Sequence, residues 1–155
     1  MKRFVAPVLF VVLTLVLVGS VAAKGGPVSG GPSFGVTLSG AAEPSGGDPT
    51  GSGTALITLD SAAGAICVEA SYAIGSLPVT GAHIHRGVAG EDGPIVVGFV
   101  GGGGDLPRPT TNSFAGCTQV EAGLLQSIAE NPSGYYFNIH DGDFPGGAIR
   151  GQLAP

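Results

Sequence analysis

The stretch from Ala65 to Gly75 alternates without a break: Ile66, Val68, Ala70, Tyr72 and Ile74 fall on one side of an extended chain, and Cys67, Glu69, Ser71 and Ala73 fall on the other. A helix would scatter these residues around its circumference, so the pattern predicts a strand with one apolar face. Such a strand is stable only in a sheet whose apolar side closes over a shared core. Phe34, Val36 and Leu38 repeat the pattern against Gly35, Thr37 and Ser39, and Thr54 to Asp60 follows as a second strand. Ile95 to Val100 reads as a short buried strand, and Tyr135 to His140 and Ala148 to Leu153 as two closing ones. Twenty-nine Gly and twelve Pro supply tight turns between them, so the expected fold is all-β, an antiparallel Greek-key sandwich or barrel.

One helix is expected. Thr118-Gln119-Val120-Glu121 has capping-box spacing, Val120, Leu124, Leu125 and Ile128 form an apolar stripe, and Asn131-Pro132 stops it. Gly101 to Pro109, with four consecutive glycines and two prolines, reads as a mobile loop.

The chain opens with a basic n-region, Met1-Lys2-Arg3-Phe4, then an apolar run from Val8 to Val18, then Val21-Ala22-Ala23, which together predict a signal peptide over 1–23 cleaved after Ala23. The run is shorter than the roughly 20 residues that span a bilayer, so no stable membrane anchor is expected. Residues 24–33 form a Gly/Pro/Ser-rich lead-in and 34–155 one β-domain. Without the leader, four basic residues face eleven acidic ones, a balance that excludes nucleic acid as a natural partner. The expected location is secreted or periplasmic. Cys67 and Cys117 are the two cysteines of a chain entering an oxidising compartment, and they are expected to pair. Because Cys67 points away from the apolar face, the bridge should pin a covering loop around Gly116 to the outside of the sheet.

His83 and His85 stand two apart in a strand, so both imidazoles leave the same face. If the strand ending in His140 lies beside theirs, a third imidazole joins them, and the trio suits copper or zinc, with water or Asp141 in the open position. The competing reading is architectural: the rings cap strand ends through loop carbonyls, Asp141 or Asp92. Arg150 is expected to pair with Glu43 or Asp143 across the sheet. There is no Gly-x-Ser-x-Gly elbow, phosphate loop or spare Cys nucleophile, so nothing supports hydrolase chemistry.

Three separated motifs resemble the CHRD domain family: Leu38-Ser39-Gly40-Ala41-Ala42-Glu43-Pro44, then Ala82-His83-Ile84-His85-Arg86-Gly87 with Gly93-Pro94-Ile95-Val96-Val97, then Tyr135 to His140 with Pro145 to Leu153. The resemblance implies an extracytoplasmic β-domain and no particular reaction. A weaker likeness runs to copper-zinc superoxide dismutases, in the His-x-His strand, a later strand ending in His140, and Arg150; three histidines in all are too few for that family's two-metal site. Together they imply an immunoglobulin-like or superoxide-dismutase-like architecture. The expected function is a non-enzymatic binding or structural module for an extracellular protein or surface ligand. The alternative is an extracytoplasmic copper- or zinc-binding protein with weak dismutase-like redox activity.

Overall fold

The computed structural model describes residues 31–153; the predicted leader and residues 24–30 of the lead-in lie outside the described residues. Nine strands form one antiparallel sheet: β1 (Ser33–Ser39), β2 (Ser52–Asp60), β3 (Ala65–Ala73), β4 (Gly81–Arg86), β5 (Ile95–Gly101), β6 (Gly104–Asp105), β7 (Ser113–Gln119), β8 (Tyr135–His140) and β9 (Ile149–Gln152). Their order is β6-β5-β4-β8-β9-β1-β2-β3-β7. The sheet curls until β5 and β7 touch, giving a nearly closed barrel. Pairing starts inside the expected lead-in, where the Leu59 amide donates to the Pro32 carbonyl at 2.9 Å.

The alternating residues behave as their pattern predicts. Val36, Leu38, Ile57, Ile66 and Val68 from one half of the barrel meet Ile84, Phe99, Phe137, Ile139 and Ile149 from the other, all buried. Phe99 and Phe137 pack edge to face at 6.0 Å. Each such side chain contributes about 1.5–3 kcal/mol of burial, which makes this interior the main source of stability.

Three local expectations change. The helix, α1 (Ala122–Glu130), starts at Ala122, because Thr118 is still engaged in β7 and Glu121 takes the N-cap position without a side-chain cap. Leu125 and Ile128 face the core as the stripe predicts, and the helix ends at Asn131 before Pro132. The segment around Gly116 is a strand, not a covering loop: β7 pairs with β3, Cys67 stands directly opposite Cys117, and a disulfide joins them. Cys67 does lie on the outer side, so the bridge staples neighbouring strands. Gly101, Gly102 and Gly103 are held at φ +60, +58 and +93° in a tight turn from β5 into β6. The glycine run there satisfies left-handed backbone instead of giving a loose loop.

Candidate metal centre

The centre sits on the outside of the barrel wall, beneath loops. In β4, Ala82 and Ile84 point inward, and in β8 Phe137 and Ile139 do the same, so His83, His85, Tyr136, Asn138 and His140 point outward. The antiparallel register places Gly81 opposite His140, His83 opposite Asn138 and His85 opposite Tyr136. It continues into β9, where Asn138 faces Arg150. Against β5, β4 shifts register between Ala82 and His83 and again between Ile84 and His85. Irregularities of this kind re-aim side chains, and here they flank both histidines.

The sheet order thus meets the condition on which the three-histidine expectation rested. One ring nitrogen from each of His83, His85 and His140 lies within 4.8 Å of the other two. Ring centroids are 5.0 Å apart for His83 and His140, 5.7 Å for His83 and His85, and 6.4 Å for His85 and His140. Gly81 makes the meeting possible, since a Cβ there would come within 2.7 Å of His83 Cε1 and 3.2 Å of His140 Cδ2.

Hydrogen-bond partners fix the tautomers. A carbonyl oxygen only accepts, so His85 Nδ1 donates to Gly93 O at 2.8 Å and His140 Nδ1 donates to Pro145 O at 3.0 Å. Each of these rings therefore keeps its lone pair on Nε2. His140 Nε2 in turn accepts from His83 Nδ1 at 3.2 Å, close to the separation of about 3.3 Å between two ligands on a tetrahedral ion with bonds of about 2.0–2.1 Å. His85 Nε2 and His83 Nε2 are buried and meet no hydrogen-bond partner among the described residues. Unused basic nitrogens under cover are costly unless something occupies them.

Loops roof the cluster. A Cβ at Gly102 would collide with His83 Nε2, so the β5–β6 turn lies directly against that ring. Burial lowers the His83 pKa to about 4, aided by His140 and His85 as like-charged neighbours and partly offset by the backbone of Gly101 and Val100. His140 is lowered as well, again chiefly by burial. Both rings are neutral at pH 7, the form that binds metal.

Behind the histidines lies a second layer that sequence reasoning placed only in part. Tyr136 stacks on His85 with centroids 4.7 Å apart and planes 8° from parallel. Arg150 covers the Tyr136 ring, its guanidinium carbon 3.5 Å from the centroid. Neither Glu43 nor Asp143 is its hydrogen-bond partner: Arg150 donates to Val88 O at 3.2 Å and Glu91 O at 2.9 Å, and reaches Asp92 Oδ1 at 3.5 Å. The partners come from a loop some 60 residues earlier, which no local spacing could have indicated. Glu43 is buried nearby; burial raises its carboxyl to about 7 despite the opposing pull of Arg150 and a hydrogen bond from Asn138. Asp141 is fully buried, and its Oδ1 accepts from the amides of Asp143 and Phe144, so it caps the turn that carries Pro145 and stands apart from the three-histidine group. Loop carbonyls do partner two of the rings, His85 and His140, while neither Asp92 nor Asp141 makes a hydrogen bond to any of the three.

The CHRD domain family model matches residues 34–153, from within β1 to just past β9, and so takes in all nine strands and all three histidines. No curated protein and no solved structure matches the chain. An outward-facing histidine cluster beneath the loops of a nearly closed antiparallel barrel is thus the candidate site of a chain that belongs to the CHRD domain family.

Proposed function

We propose that this chain is an exported binding module, acting outside the cytoplasm without turning over a substrate, and that its ligand is a single copper or zinc ion held by His83, His85 and His140. The observation that carries the reading is the meeting of three imidazoles within 4.8 Å, two of them held by carbonyls in the tautomer that leaves the lone pair on Nε2. The donor set fits the group: imidazole nitrogen suits copper and zinc, and each of the three histidines would offer one ring nitrogen to the ion. Water would fill the position that the three histidines leave open. The Cys67–Cys117 disulfide is in keeping with an oxidising compartment.

Binding is favoured over turnover by the surroundings. His83 and His85 are buried, and Arg150 is only 2 % exposed, so it is badly placed to steer an anionic substrate toward the cluster. The test is calorimetric titration of the purified chain with Cu²⁺ and Zn²⁺ at neutral pH, repeated on His83→Ala and His140→Ala. Micromolar or tighter binding that both substitutions abolish supports the reading. No heat with either metal, or equal binding by the variants, returns the histidines to the task of holding down the loops at Gly93 and Pro145.

A further inference from the structure

Arg150 poses a question that metal binding alone leaves open. It is the largest fully buried side chain of the described residues, and its charge is poorly matched: Asp92 stands 3.5 Å away and is 60 % exposed. Burying a guanidinium costs several kcal/mol, and a well-packed apolar side chain of similar volume is often at least as stabilising. Its contacts suggest what the charge accomplishes. One face of the guanidinium lies on the Tyr136 ring, and the opposite face of that ring is available to His85, with which it stacks almost parallel. The guanidinium edge donates to Val88 O and Glu91 O, holding the loop that leads into Gly93. The Gly93 peptide then clasps the pair, its carbonyl accepting from His85 Nδ1 at 2.8 Å and its amide donating to the Tyr136 hydroxyl at 3.3 Å.

His85 is therefore constrained twice, at its ring face by Tyr136 and at Nδ1 by Gly93, and both constraints trace back to one residue. We propose that Arg150 is the positioning residue of the metal centre: acting through Tyr136 and the Gly93 peptide, it fixes the ring plane and the Nδ1–H tautomer of His85 and so presents the Nε2 lone pair to the ion. The consequence for metal binding rests on the function proposed above; the effect on the tautomer does not. Arg150 touches no ion. Its role is exerted on a ligand, where outer partners of metal-bound histidines are typically worth 10–100-fold in affinity.

The experiment reads the two levels separately. The ¹⁵N-labelled chain, expressed with its own leader and purified, is studied without metal by long-range ¹H–¹⁵N correlation of the imidazole nitrogens at pH 7.5, then titrated with ZnCl₂ against a chelating dye. The wild type should show His85 as a single Nδ1–H tautomer. Arg150→Met, which keeps bulk against Tyr136 but has no donor, should give a tautomer mixture at His85 and weaken Zn²⁺ binding at least tenfold. Arg150→Lys, which restores a donor without the planar stack, should fall between. His140→Ala should lose Zn²⁺ while leaving the His85 tautomer unchanged. If Arg150→Met does not fold, Tyr136→Leu tests the same link, since it removes the surface between Arg150 and His85 and should also release the tautomer. A folded Arg150→Met with wild-type tautomer, or Tyr136→Leu with wild-type tautomer, overturns the proposal. A tautomer that responds to Arg150 in a chain whose wild type takes no zinc upholds positioning and removes the zinc arm of the functional reading alone.

Discussion

The outward faces of β3 and of the β4–β8–β9 group have the same alternating geometry and opposite fates. On β3 the outward residues Glu69, Ser71 and Ala73 meet solvent, and the wall there is secured by the Cys67–Cys117 bridge to β7. On β4, β8 and β9 the outward residues His83, His85, Tyr136, Asn138 and Arg150 are buried and His140 is half-buried, because loops fold back over them. Period two says which side of the wall a residue occupies. Whether that side is wet depends on loops, and in this domain the loops build a second, polar interior on one half only.

The largest effect expected from this contrast is at Tyr136. Although it points away from the apolar core, Tyr136→Ala should cost about 3–5 kcal/mol in urea unfolding, as a core aromatic would. A loss below about 1 kcal/mol would mean that the polar layer is no true interior. Next comes the staple. Replacing Cys67 and Cys117 together by Ala opens a link across 50 residues and should lower stability by about 2–4 kcal/mol, measured by chemical denaturation beside the fully reduced wild type.

A third prediction uses pH. The Glu43 carboxyl titrates at about 7 in the fold against 4.5 when free, so its contribution is fully present below about pH 4.5 and is lost as pH rises through 7. Glu43→Gln removes that loss. Its stability relative to wild type should rise by roughly 2–3 kcal/mol between pH 5 and pH 8. A difference that stays constant over this range would place Glu43 in water. His83 works in the opposite sense: held near 4 against 6.5, it supports the fold above pH 6.5 and ceases to do so as pH falls through 4. The smallest effect belongs to the wet face, where Glu69→Ala should stay within about 0.5 kcal/mol of wild type.

What could be read from the chain follows the same division. β1 and β3 announce themselves because Phe34, Val36 and Leu38, and Ile66, Val68, Ala70 and Tyr72, fill the barrel. β7 carries no such signal and reads as a covering loop, because Ser113 to Gln119 offers only half-buried and exposed positions and a glycine at its centre. Leu106 packs close over Gly116, with Cδ1 2.5 Å from where a Cβ would stand. That strand exists through its pairing with β3, a long-range cause absent from its own composition. In the candidate centre, the His83–His85 spacing and the outward face shared by Tyr136, Asn138 and His140 were legible from period two. The bulges of β4, the roof at Gly102 and the carbonyls that hold Arg150 were not, since each depends on where a distant loop comes to rest.

The position of β7 at the end of the sheet gives the disulfide a further importance. β7 is paired along its length on one side only, to β3. If it peels away, β3 presents a row of unpaired amides and carbonyls flanked by Ile66, Val68 and Ala70, the kind of template that recruits the same strand from another molecule. The covalent link holds β7 in register against that opening, so the oxidised chain guards its own edge, and reduction leaves a barrel predisposed to strand exchange and aggregation.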